Sequence, residues 1–153
     1  MFALDESRSA KVIEKFNLPS YRLKQIREWI YVKYVDDFYK MSNLPQNLRE
    51  ALANKYRVTG SQIVAQQRTQ DGTVKLLLQY PDGARIETVI MAYRDWSTAC
   101  ISTQVGCAMN CTFCATGPMG LVRNMTAEEM AEELWHCSRY ALLHSLKPVR
   151  NMV

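Results

Sequence analysis

The chain has 153 residues, 48% hydrophobic and 22% charged, which suits a soluble globular protein of one domain, or of one small domain and part of another. Its net charge of +4 sits in residues 1–60, which hold 11 Lys/Arg against 7 Asp/Glu, whereas the remainder balances. No apolar run reaches the roughly 18–20 residues of a membrane helix, and Met1 to Ala10, carrying Asp5, Glu6 and Arg8, does not read as a secretory signal. The expectation is a cytoplasmic protein.

Residues 1–60 read as a small, basic helical domain. Ser7 or Ser9 is placed to cap a helix running to Phe16, before Asn17-Leu18-Pro19. Ser20 is placed to cap the next, where Leu23, Ile26, Ile30 and Tyr34 recur at helical spacing. A third helix is expected with Asn43 as its cap and Pro45 in its first turn, burying Leu48, Leu52 and Tyr56. Trp29 reads as a core or interface residue. A basic surface of this kind attracts nucleic-acid phosphates, although a solvated mixed-charge face gives the same composition.

After Gly60 the period changes from helical to alternating. Ile63 to Arg68, Val74 to Tyr80 and Ala84 to Tyr93 read as strands separated by Asp71-Gly72 and Asp82-Gly83. Asp-Gly between apolar runs marks a tight hairpin, because Gly adopts the positive φ the turn requires. Residues 61–96 are thus expected to form an antiparallel meander. A fourth strand, Thr98 to Gln104, leads into a cysteine-rich loop from Gly106 to Arg123. Thr126 and Glu129 fit a capping box opening a helix with the apolar stripe Met130, Leu134, Cys137, Ala141 and Leu142; Trp135, like Trp29, reads as a core or interface residue. Pro148 is expected to end that helix, and Val149 to Val153 to begin another strand. Residues 97–153 therefore read as one βα unit and the start of the next.

The five cysteines are Cys100, Cys107, Cys111, Cys114 and Cys137. An odd number without an export signal argues against a disulfide framework. Cys107, Cys111 and Cys114 follow a C-x3-C-x2-C pattern in a Gly-flanked loop. Thiolates hold iron–sulfur clusters, and three ligands on a four-iron cluster leave one iron open to a group other than protein. A structural zinc site would need a fourth ligand, for which His136 and Cys137 are the candidates, on the following helix. Buried free cysteines acting as small hydrophobes are the remaining reading.

With Phe113 before its third cysteine, this motif resembles the radical S-adenosylmethionine (SAM) signature. Its flanks, Cys100-Ile-Ser-Thr-Gln-Val-Gly-Cys107 and Ala115-Thr-Gly-Pro-Met-Gly120 followed by Arg123-Asn124, are similar to those of the RNA adenine-C2 methyltransferases. So are Tyr21-Arg-Leu-Lys-Gln-Ile-Arg-Glu-Trp-Ile30 and Met41-Ser-Asn-Leu-Pro45 in the helical domain. The resemblance implies an α+β chain: a helical accessory domain for RNA (1–60), the meander (61–96) and the beginning of a (β/α)6 partial barrel (97–153). It implies a [4Fe-4S] cluster on Cys107, Cys111 and Cys114, with SAM on the open iron. Its implied substrates are 23S rRNA and tRNA, methylated at C2 of adenosine, and its implied electron donor is flavodoxin-like.

In that family a methylated cysteine near the C-terminus carries the methyl group, and a radical formed from a second SAM activates it. Glu87 matches the proton acceptor, and Cys100 the cysteine that resolves the enzyme–RNA adduct through a transient disulfide. An acid between apolar strand residues is expected to have a raised pKa, although a solvent-facing strand acid has the same pattern. A buried strand cysteine is the plain alternative for Cys100. Arg123 and Asn124 are candidates for RNA or cofactor contact, or equally for a loop salt bridge or a bond at the start of the helix.

A full (β/α)8 barrel takes about 250 residues, so six units take on the order of 190; only 56 run from Thr98 to Val153. The methyl-carrying cysteine and most SAM contacts have no counterpart here. The reading is therefore an N-terminal fragment that cannot complete the transfer alone. Two alternatives stay open: a C8-adenosine methyltransferase of the same superfamily, and a non-catalytic RNA- or zinc-binding module.

Overall fold

The computed structural model describes residues 11–12, 14–109 and 111–153, in two compact units, Met1–Gly60 and Ser61–Val153. Residues 11, 12 and 14–16 are helical; the expected cap at Ser7 or Ser9 lies outside the described residues. Asn17, at φ 47°, turns the chain out of that helix.

Helix α1, Ser20–Arg27, begins one residue earlier than a Ser20 cap would allow. Pro19 is its N-terminal boundary, and no side chain caps it. The helix then loosens into a π turn, Glu28–Val32, with Lys33 N–H donating to the Glu28 carbonyl at 3.0 Å. Helix α2, Gln46–Lys55, likewise follows Pro45 without a side-chain cap. Asn43, expected as that cap, instead accepts the Trp29 indole N–H at 2.6 Å on its Oδ1 and an Arg22 guanidinium N–H at 2.9 Å on its carbonyl. The indole carries a polar donor that needs a partner, and Asn43 supplies it. Ile26, Ile30, Leu48 and Leu52 are buried in this unit with Phe38, Met41 and Leu44. Tyr56 is half-buried, edge-on to Phe16 at 6.3 Å.

The second unit is built on a five-stranded sheet ordered β1-β2-β3-β4-β7. Strands β1 (Gln62–Arg68), β2 (Val74–Gln79) and β3 (Arg85–Ala92) form the antiparallel meander. Both Asp-Gly turns form as expected. Asp71 Oδ1 accepts Thr73 N–H and Asp82 Oδ1 accepts Ala84 N–H, each at 3.0 Å. Strand β4 (Ser97–Cys100) pairs antiparallel with β3 and parallel with β7 (Val149–Met152), so the meander and the βα unit share one sheet. The crossover from β4 to β7 runs through helix α3, Ala127–Leu143, the connection that parallel strands need.

The fourth strand is shorter than its sequence suggests. It stops at Cys100, and Gln104–Gly106 forms β5, which pairs with β6 (Leu121–Asn124) in a separate hairpin. The backbone groups between them bond elsewhere: Ser102 N–H donates to the Glu133 carboxylate and the Thr103 carbonyl accepts from Met125 N–H, both at 2.9 Å.

Helix α3 has the expected capping box between Thr126 and Glu129. It packs Trp135, Cys137, Tyr140 and Ala141 inward, and Cys137 and Tyr140 meet Val74, Leu76, Leu78, Ile86, Ile90 and Ala99 of the sheet. Fully burying each large aliphatic side chain contributes about 1.5–3 kcal/mol. Leu142, assigned to the stripe by periodicity, is 57% exposed. The helix also ends earlier than Pro148. Ser145 adopts φ 56°, and Leu146 N–H bonds back to the Ala141 carbonyl.

Gly106 sits where β5 meets the cysteine loop, at φ +76°, and a Cβ there would lie 1.9 Å from the Gly120 carbonyl oxygen. Backbone on both sides leaves no flexible atom to yield. Gly106→Ala is therefore expected to destabilise the chain by about 2 kcal/mol or more, read as a lower urea midpoint with the helical circular-dichroism signal retained.

Candidate functional site

The three-cysteine loop hangs from the β5–β6 hairpin. Its neck is closed by Cys107 N–H donating to the Gly120 carbonyl at 3.0 Å, the close approach that excludes a side chain at Gly106. Within it, Cys114 N–H bonds the Cys111 carbonyl and Gly117 N–H bonds the Cys114 carbonyl, each at 3.2 Å, so successive tight turns follow the second and third cysteines. Cys107, Cys111 and Cys114 are free thiols of intermediate exposure. Hydrogen bonds from the backbone N–H of Thr116, then of Gly117, draw the Cys114 thiol below its ordinary pKa, which favours the thiolate that metals bind. Around these thiols Met109, Phe113 and Met119 stand exposed.

Among the described residues no three His, Cys, Asp or Glu side chains converge closely enough to hold a metal ion; Asn110, between the first two cysteines, lies outside them. The fit to a cluster is thus one of donor chemistry: three half-exposed thiols on one short loop. The fourth ligands considered for zinc are engaged elsewhere. Cys137 is buried at 3.4 Å from Thr88 Oγ1, and His136 Nε2 lies 3.1 Å from Ser61 Oγ.

Glu87 is on β3, opposite Leu77. The desolvated setting expected of it is not there: its side chain is 56% exposed and its Oε1 lies 3.1 Å from Lys75 Nζ. Strand alternation accounts for this, since Ile86 and Thr88 take the buried face. Cys100 ends β4 and its thiol is exposed, not packed inside. The structure draws Glu87 and Cys100 together through the backbone. Thr88 Oγ–H donates to the Cys100 carbonyl and Ser102 Oγ–H to the Glu87 carbonyl, both at 2.9 Å.

Arg123 is a structural link. Its guanidinium bonds Asp82 at 2.7 Å and Glu129 at 2.8 Å, tying the β2–β3 turn to the first turn of α3. Asn124 Oδ1 accepts from the Gln104 amide. Trp135 is buried and Trp29 half-buried, with Lys33 Nζ 3.9 Å from the Trp29 ring centroid.

Two buried acids on α3 escaped the sequence reading. Glu132 Oε2 accepts both the N–H and the hydroxyl of Ser61, and His136 faces that hydroxyl. The trio has the residue types of a hydrolytic triad, but the carboxylate bonds the serine directly and Ser61 is only 4% exposed, so the arrangement clamps the chain at the start of the unit to α3. Glu133 is fully buried. Its Oε2 accepts Ser102 N–H, and its Oε1 has no hydrogen-bond partner among the described residues. Burial pushes its pKa up to about 8, against the lowering effect of the Ser102 bond. The signal was present in the sequence: Glu133 lies three residues after Met130 and four before Cys137, on the apolar stripe itself.

This makes stability depend on pH with a definite sign. The unfolded chain releases the Glu133 proton near pH 4.5 and the folded chain holds it to about pH 8, so between these values folding takes up a proton and stability falls as pH rises. The loss is on the order of a few kcal/mol. Glu133→Gln is expected to flatten the profile between pH 5 and 8, measured as the urea midpoint at each pH.

Residues 1–58 match the family model for the ribosomal RNA large subunit methyltransferase N-terminal domain. Over 147 residues the chain is 40% identical to a probable dual-specificity RNA methyltransferase RlmN of Salinibacter ruber, covering 92% of this chain and 40% of that protein. It is 44% identical over 133 residues to its counterpart in Thermus thermophilus, covering 87% and 37%. It is 40% identical over 144 residues to the dual-specificity RNA methyltransferase RlmN of Oleidesulfovibrio alaskensis, covering 93% and 40%. Among solved structures, a radical SAM methyltransferase from Sphaerobacter thermophilus superposes with a TM-score of 0.88 at 38% identity, over 99% of this chain and 45% of that one. The chain is thus similar to the RlmN dual-specificity RNA methyltransferases, and it spans about two fifths of the length of these curated relatives.

Proposed function

We propose that this chain is the cluster-binding portion of a radical SAM enzyme that methylates C2 of adenosine in 23S rRNA and tRNA. The observation that carries the proposal is the loop from Gly106 to Gly120. It presents three free thiols beyond the end of a strand that enters a parallel βαβ crossover, in a chain whose relatives are named RNA methyltransferases.

In this reading Cys107, Cys111 and Cys114 hold a [4Fe-4S] cluster, and three ligands on four irons leave one iron for SAM. When bound, cluster and SAM supply the one-electron chemistry that side chains lack; a flavodoxin-like protein is the matching electron source. The chain's own contributions are positional. The Gly106–Gly120 neck fixes the root of the loop. Exposed Cys100 is open to thiol exchange with a partner cysteine, which requires access. Exposed Glu87 is open to a proton from the substrate. Five free cysteines suit a reducing, cytoplasmic setting, and the basic residues 1–60 suit an RNA-facing role. The carrier cysteine belongs to sequence beyond this match.

Anaerobic reconstitution with iron and sulfide is expected to load about four irons per chain, and Cys107→Ala, Cys111→Ala or Cys114→Ala to abolish the visible absorbance. One tightly held zinc without sulfide would reject the cluster reading. The reconstituted 153-residue chain, given SAM, reductant and rRNA, is expected to form no methyladenosine by nucleoside mass spectrometry; turnover by the chain alone would overturn the assignment of an incomplete catalytic apparatus.

A further inference from the structure

We infer that Glu133 is a positioning residue for Cys100: its buried carboxyl group sets the end of β4, and with it the direction in which the Cys100 thiol is presented. The inference rests on the reading of Cys100 as a functional thiol, but its geometry is independent of that reading.

Three backbone polar groups between the Cys100 carbonyl and Ser102 N–H are held. Thr88 Oγ–H bonds the Cys100 carbonyl at 2.9 Å, Ile101 N–H bonds the Val153 carbonyl at 3.0 Å, and Ser102 N–H bonds Glu133 Oε2 at 2.9 Å. Ser102 Oγ–H then reaches the Glu87 carbonyl at 2.9 Å. Thr88 Oγ1 also lies 3.4 Å from the Cys137 thiol. Burial keeps that thiol protonated, with its pKa pushed up to about 12. Two residues of α3, one turn apart, thus hold both sides of the Cys100–Ser102 segment: Cys137 through Thr88, and Glu133 directly.

A leucine at position 133 would bury at lower cost than a carboxyl group. Glu133 instead diverts the amide that would continue the β4 ladder, and the chain leaves the sheet two residues after Cys100. A neutral acceptor performs this task as well as a charged one. The ionisable groups facing Glu133 are Glu129 and Cys137 on its own helix and Tyr80 from the end of β2, with Cys100 across Cys137 on β4. None of them is a cation that would hold the carboxylate ionised.

The test is the alkylation rate of each cysteine in the 153-residue chain with iodoacetamide, resolved by peptide mass spectrometry, with buried Cys137 reporting on folding. Glu133→Gln keeps the acceptor and is expected to leave the Cys100 rate at pH 6 within about twofold, whereas Glu133→Ala is expected to change it by about fivefold or more, since the rate follows access. An unchanged Cys100 rate in Glu133→Ala, with Cys137 still protected, overturns the inference. If Glu133→Ala exposes Cys137, Glu133→Leu, which fills the site without an acceptor, decides: it is expected to change the Cys100 rate by about fivefold or more, and an unchanged rate overturns the inference. Failure of the chain to load an iron–sulfur cluster, with this coupling intact, would count against the proposed function alone.

Discussion

A single side chain decides where the sheet stops being a sheet. The amide of Ser102 has the ordinary option of extending the β4 ladder, but the Glu133 carboxyl group, carried in by α3, takes it at 2.9 Å. From there the chain turns into the β5–β6 hairpin and the thiol loop. The arrangement depends on α3 lying flat on the sheet, which the burial of Cys137, Tyr140 and Ala141 enforces. Apolar packing places the helix, and the helix places the polar group that releases the loop. A buried acid with one unsatisfied oxygen is a poor stabiliser, so its value lies in geometry.

Much of this was legible in residue order. The two Asp-Gly hairpins, the Thr126–Glu129 capping box and the stripes Ile26/Ile30 and Leu48/Leu52 are local signals, each satisfied within a few residues, and the structure contains them all. The misses have a common origin in long-range partners. Asn43 has the chemistry of a cap, but Trp29, fourteen residues away, claims its Oδ1. The strand read as Thr98 to Gln104 is broken by a carboxyl group 31 positions further on. Leu142 fits the helical period, but no part of the sheet reaches it, whereas Glu132 and Glu133 are pulled inward by Ser61 and Ser102.

The candidate site was readable at the level of composition and less so in environment. Three thiols at short spacing announce a loop with metal chemistry wherever they fall. What spacing does not carry is the surroundings of each functional side chain. Glu87 looked shielded because its sequence neighbours are apolar; strand alternation sends those neighbours inward and leaves Glu87 beside Lys75. For Arg123 residue order leaves a ligand contact and a loop salt bridge equally open, and only the fold decides, with Asp82 and Glu129 holding it from two sides. Neighbours along the chain are a weak guide to neighbours in space for any residue on a strand.

The pairing order of the sheet also has a consequence in time. Strands β1 to β4 each pair with the next in sequence, so every closure is short and its entropic cost low. The β4–β7 pairing must wait for all of α3 to be made and docked. During synthesis, with N-terminal structure forming first, the meander can therefore assemble while the thiol loop is still emerging. The loop then grows from a platform that already exists, and Cys107, Cys111 and Cys114 are made before α3 emerges to pack on the sheet.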